Sequence, residues 1–90
     1  MSLSKISPKH LHFIGIGGSG MSGLAEVLNN LGYIVTGSDI SETSVTERLK
    51  SLNIKIESNH KPSNLGSADM VVISTAIDES NLELKEARKL

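Results

Sequence analysis

Apolar positions follow two different periods along this chain, and the switches between them mark its elements. Leu11 to Ile16 is a short run of β-formers that ends among glycines, with nearly every position apolar, as expected of a parallel strand covered on both faces. From Gly20 onward the period becomes helical: Met21, Leu24, Ala25, Leu28 and Leu31 recur before Gly32, a residue suited to a left-handed helix end. A helix is expected over roughly 19–31. Tyr33 to Gly37 is a second β-rich run, and Ser44-Val45-Thr46-Glu47 has the Ser-x-x-Glu pattern of a capping box. The helix it opens should bury Val45, Leu49 and Leu52 and end at Asn53.

Ile54 and Ile56 alternate around Lys55 as a brief third strand, and the polar stretch 58–68 reads as a loop. Met70 to Ser74 is a continuous apolar run of the kind found in a central buried strand. Ser80-Asn81-Leu82-Glu83 is a second capping-box pattern opening a last helix. Strands and helices in this alternation predict an α/β fold, a Rossmann-like half-domain. Its parallel sheet of about four strands should run in the order 3-2-1-4, with helices on both faces. Residues 1–10 read as a polar leader and 11–90 as one nucleotide-binding domain, expected to be truncated from a longer protein.

The length of 90 residues limits the chain to one domain with a modest core. A net charge of -1 and 21% charged residues suggest neither a nucleic-acid partner nor disorder. No apolar run approaches the roughly 18 residues that span a bilayer, and the start lacks a signal peptide's apolar stretch, so a cytoplasmic protein is expected. The absence of Cys fits a reducing compartment and removes thiolate chemistry, while three scattered His residues suggest no metal site. Arg48, Lys50, Lys55, Lys85, Arg88 and Lys89 are interspersed with Glu and read as solvated faces.

Chemistry concentrates at the first switch of period. Gly15, Gly17 and Gly20 satisfy G-x-G-x-x-G between a predicted strand and a predicted helix. The first glycine would permit the tight turn, the second a close approach to a diphosphate, the third packing of helix on strand. With no Lys or Arg in the loop, an anion would be held by helix-start N–H groups and the helix dipole. Gly17, Gly18, Ser19, Gly20, Met21 and Ser22 are therefore the expected diphosphate contacts, through the amides of 18–21 and the serine hydroxyls. The Met21 side chain falls at core spacing. A bulky residue at Gly17 should fill diphosphate space at little cost to the fold.

Asp39, 19 residues after Gly20, stands where a carboxylate accepts hydrogen bonds from ribose hydroxyls, and Ser38 beside it would face the same sugar. Ser74, Thr75, Ala76 and Ile77 follow the fourth strand, whose carboxyl end should lie at the same crevice and form the nucleotide's other wall. Motif logic leaves the ligand open between NAD, FAD and a nucleoside-diphosphate sugar. An NAD-binding module of a dehydrogenase or regulatory sensor is thus an alternative. An open fourth-strand edge would also invite self-association.

Four segments in order resemble the ATP-dependent Mur ligases of peptidoglycan synthesis: His12 to Ala25, Val35-Thr36-Gly37-Ser38-Asp39, Val71 to Ile77, and Asn81 with Glu83. Three positions depart from the family pattern. Thr75 stands where Ser is usual, Asn59 precedes His60 where Gly is usual, and Leu82 replaces Pro. The resemblance implies that the domain binds the UDP part of UDP-N-acetylmuramate, with His60 joining the contacts, although a lone loop histidine is otherwise an ordinary solvated group. It also implies that in a complete ligase ATP and Mg²⁺ activate the substrate carboxylate as an acyl phosphate, which L-alanine attacks. The Gly-Lys-Thr type of ATP loop is absent from this sequence, so the stretch alone is expected to bind and not to catalyse.

Overall fold

In a computed structural model, which describes residues 9–90, four parallel strands form one sheet. The expected leader lies mostly outside the described residues, and its last residue, His10, already opens the first strand. The strands are β1 (His10–Ile14), β2 (Ile34–Ser38), β3 (Lys55–Glu57) and β4 (Met70–Val72), in the order β3-β2-β1-β4. The helices are α1 (Met21–Asn30), α2 (Ser44–Ser51) and α3 (Leu82–Lys89), with a short 3-10 turn at Pro62–Leu65 inside the stretch expected to be loop. The α/β class and the 3-2-1-4 order agree with expectation.

Alternation along the strands separates two chemistries. Leu11 and Phe13 of β1 and Val35 of β2 point to one face, where they form the core with Met21 and Ala25 of α1, Leu49 of α2 and Ile54. The intervening residues His12, Thr36 and Ser38 point to the opposite face, and there His12 and Ser38 meet α3. The sheet is therefore apolar toward α1 and α2, whereas toward α3 it carries this buried polar group together with the apolar Ile14, and Leu84 of α3 is buried as well. Gly37 allows the closest approach in the core: a Cβ there would stand 2.5 Å from Cδ1 and 2.7 Å from Cβ of Ile16.

Several local expectations shift. α2 begins one residue early in its capping logic: the N-cap is Thr43, whose hydroxyl accepts from Thr46 N–H while the Thr46 hydroxyl accepts from Thr43 N–H. Thr46, not Val45, is consequently the buried residue of that first turn. α3, unlike α2, carries no capping box. Asn81 is its N-cap, accepting from the N–H groups of Glu83 and Leu84, which frees the Glu83 side chain to turn inward. Gly32 and Asn53 do take left-handed angles, φ 96 and φ 69, where their helices end.

The run Met70–Ser74 is not a central buried strand. Only Met70–Val72 pairs, with β1 alone, and Met70 is 58% exposed at the sheet edge. An apolar run is equally compatible with an edge that carries apolar side chains, and periodicity cannot separate the two.

Candidate functional site

The glycine loop is anchored by the carboxyl end of β2. The Ser38 carbonyl accepts from both Gly15 N–H (2.8 Å) and Ile16 N–H (3.0 Å), so β1 turns away over the end of its neighbour. Gly15 makes that turn at φ 76, a conformation other residues adopt at a cost. The loop then closes on itself: Gly18 N–H donates to Gly15 O at 3.0 Å, and Met21 and Ser22 N–H both donate to Gly18 O. Gly20 caps α1 with φ 79 and offers no side chain to the helix start.

This arrangement redistributes the expected diphosphate contacts. The amides of Gly18 and Met21 are engaged within the turn, and Gly17 N–H donates to Asp39 Oδ2 at 2.8 Å. Among the described residues, the N–H groups of Ser19 and Gly20 have no acceptor, and both residues are exposed at the start of α1. Ser22 is half-buried. The Met21 side chain sits in the core. Gly20 also differs from its expected role, because a Cβ there would meet nothing within 4 Å. Its left-handed backbone, not close helix packing, calls for glycine, while Gly37 carries the close packing.

Asp39 grips backbone with both oxygens, Oδ2 on Gly17 N–H and Oδ1 on Ser41 N–H at 2.9 Å. It therefore shapes the loop as well as bordering the crevice. Gly17 is tightly flanked, for a Cβ would stand 2.9 Å from Asp39 Oδ2 and 3.0 Å from Thr46 Cγ2. A larger residue at Gly17, expected to cost the fold little, would have to displace the Asp39 carboxylate or the Thr46 methyl group. On the other side, Cδ1 of Ile77 lies 3.0 Å from the Cβ position of Gly15, which brings the 74–77 loop against the glycine loop. Ser74 organises that loop by accepting from Ala76 N–H at its hydroxyl and Ile77 N–H at its carbonyl, and Thr75 is exposed.

Ser38, expected to face a ribose, turns its side chain inward. Its side chain is fully buried, donating to Glu83 Oε1 at 2.8 Å and meeting His60 Nδ1 at 2.9 Å. Glu83 is the hub of this interior. Oε1 also meets His12 Nε2 at 2.6 Å, and Oε2 accepts from Lys61 N–H (3.0 Å) and Asn64 Nδ2 (2.9 Å). The chain of polar contacts continues from His12 Nδ1 to the Thr36 hydroxyl and on to His10 Nε2. Burial pushes the Glu83 carboxyl upward, yet hydrogen bonds from His12, Asn64 and Ser38 and the attraction of His12 outweigh it and hold the group below its ordinary value. Sequence reading missed this network. The available signals were a histidine inside an otherwise apolar strand and a glutamate just after an asparagine cap.

The two cavities beside β4, about 550 Å³ toward α3 and about 400 Å³ toward α1, are lined by none of the glycine-loop residues. The glycine loop itself is bordered by Asp39 at Gly17 and by Ile77 at Gly15.

The family described as "Mur ligase family, catalytic domain" matches residues 10–90. The chain belongs to the Mur ligase family. The UDP-N-acetylmuramate--L-alanine ligase of Thiobacillus denitrificans is 58% identical over 85 residues, covering 94% of this chain and 18% of that protein. The ligase of the same name from Psychrobacter arcticus is 58% identical over 79 residues, covering 88% of this chain and 16% of its own length. The crystal structure of UDP-N-acetylmuramate-alanine ligase from Thermotoga maritima superposes with a TM-score of 0.85 at 39% identity, covering 89% of this chain and 19% of that one. A murein peptide ligase from Psychrobacter arcticus gives 0.79 at 29% identity, covering 90% and 17%. The chain thus spans less than a fifth of the length of each of these four relatives.

Proposed function

We propose that this Mur ligase domain holds the UDP part of UDP-N-acetylmuramate for a ligase that joins L-alanine to it. One observation carries the proposal: the unengaged N–H groups of Ser19 and Gly20 sit at the start of α1, where the helix dipole favours an anion. Asp39 lies against Gly17 and Ile77 against Gly15, so both residues border the loop that carries those groups. The names of the relatives support uridine over nicotinamide. Membership of the ligase family likewise leaves a dehydrogenase module without support.

Ligation would need ATP and Mg²⁺ to activate the substrate carboxylate. The residues of this chain do not fit those groups. Among the described residues no set of three or more His, Cys, Asp or Glu could hold a metal ion, and the sequence has no Gly-x-x-Gly-Lys loop. We infer that the stretch binds substrate without catalysing by itself. No helix among the described residues is long and apolar enough to cross a membrane.

Calorimetric titration of the chain with UDP, UDP-N-acetylmuramate and NAD tests the proposal. Saturable binding of both uridine ligands and weaker binding of NAD is the expected result. Tighter binding of NAD than of either uridine ligand would overturn it.

A further inference from the structure

The proton positions around Glu83 follow from counting donors. Ser38 has one hydroxyl hydrogen and gives it to Glu83 Oε1 at 2.8 Å. At 2.9 Å from His60 Nδ1 the same oxygen can only accept, so the proton between them belongs to His60 Nδ1. Glu83 Oε2, 3.4 Å from that nitrogen, favours the same assignment, because a carboxylate only accepts. A neutral imidazole with its proton on Nδ1 carries a lone pair on Nε2. Among the described residues Nε2 of His60 has no partner. The His60 side chain is 20% exposed, whereas that of Glu83 is closed to solvent.

Glu83 is itself clamped on both sides of the histidine. Lys61 N–H and Asn64 Nδ2, from the segment that follows His60, both donate to Oε2, and His12 holds Oε1 from the sheet. The carboxylate cannot swing away from Ser38 without breaking several of these bonds.

We propose that Glu83 is a positioning residue: acting through Ser38, it fixes His60 in the tautomer whose Nε2 accepts a hydrogen bond from the bound nucleotide, from a ribose hydroxyl or a base N–H. The inference rests on the UDP site proposed above and names a recognition element within it. A substitution at Glu83 that kept its shape but not its charge would bring an amide NH₂ against two other donors, or turn it toward Ser38 and His12. In the second orientation the NH₂ would donate to the Ser38 hydroxyl, whose own hydrogen would turn toward His60 Nδ1, and the histidine would lose its fixed proton.

Two-bond ¹H–¹⁵N correlation spectra of the ¹⁵N-labelled chain test this directly. The free protein at neutral pH should show His60 with a protonated Nδ1 and an unprotonated Nε2, and UDP should shift the Nε2 resonance upfield. Glu83→Gln should mix the tautomers and weaken UDP by about tenfold, a loss worth about 1.4 kcal/mol. Should Glu83→Gln fail to fold, Ser38→Ala removes the acceptor of the same proton and should mix the tautomers in the same way. A purely structural role for Glu83 would lower the melting temperature yet leave both the tautomer and the affinity of the folded protein unchanged, and that result overturns the proposal.

Titrations with 2′,3′-dideoxy-UDP and N3-methyl-UDP separate the two donors, since only the analogue lacking the donor used should fail to move Nε2. A protonated Nε2 in the free protein, or UDP bound with no change at Nε2, overturns the proposal while leaving the diphosphate site standing. A flat UDP titration removes the site and the proposal together.

Discussion

Nε2 of His12 stands 2.6 Å from Oε1 of Glu83, and the two side chains are 1% and 0% exposed. The pair joins the central strand of the sheet to the first turn of α3, residues 71 positions apart in sequence. Because Ser38, Lys61 and Asn64 converge on the same carboxylate, it also ties together β2, the loop after β3 and the helix that follows the 74–77 loop. The end of β2 and the helix that follows the 74–77 loop are thus tied to one buried group.

Removing one partner of such a pair leaves the other desolvated without its bond. His12→Ala should lower unfolding free energy by about 3–5 kcal/mol, measured by urea denaturation. A loss below about 1 kcal/mol would mean that the remaining hydrogen bonds to Glu83 suffice on their own.

Acid should act on the same group, and its sign follows from the direction of the shift. The folded-state pKa of Glu83 lies below the ordinary value of 4.5. Its contribution to stability is therefore fully present above that value and is lost as pH falls through the lowered folded value. The stability difference between the wild type and Glu83→Gln should be constant near neutral pH and shrink below about pH 4.5. Urea midpoints of the two proteins across that range supply the check, and a difference that persists unchanged in acid contradicts the ionised carboxylate.

The topology was legible because strand-like, helical and again strand-like patterns follow one another through β1, α1 and β2, and because glycines punctuate them where the backbone turns. What escaped were contacts between residues far apart in sequence. Ser38 sits beside Asp39 at a strand end, which suggests a shared ligand, yet strand alternation sends its side chain into the sheet's polar face. Glu83 occupies the expected position for a capping box, but Asn81 already satisfies the helix start, and only the fold brings His12 within reach. Thr43 displaced Ser44 as a cap because reciprocal bonding with Thr46 also buries a methyl group beside Gly17.

Two glycines separate conformation from packing. Gly20 has φ 79 and open space around a Cβ, whereas a Cβ on Gly37 would overlap Ile16. Gly20→Ala should cost about 1–2 kcal/mol, and Gly20→Asn should recover part of it because asparagine tolerates left-handed angles. Gly37→Ala should cost about 1–3 kcal/mol from overpacking, with Asn no better. Thermal melts of the four variants decide between the mechanisms. Equal losses for Ala and Asn at Gly20 would count against the conformational account there.

Gly17 and Asp39 should prove energetically coupled. A methyl group at Gly17 would press on Asp39 Oδ2 and Thr46 Cγ2, forcing the carboxylate off the Gly17 amide it now holds at 2.8 Å. Gly17→Ala is expected to cost about 1–3 kcal/mol of stability and to weaken UDP, since the loop must move to make room. Asp39→Ala removes both the acceptor and the obstruction. The double variant should then lose less than the sum of the two single losses, by about 0.5 kcal/mol or more, in a urea-denaturation cycle. Strict additivity would mean that the methyl group finds space without displacing the carboxylate. The loss of uridine affinity at Gly17 would then arise from direct occupation of the ligand's position.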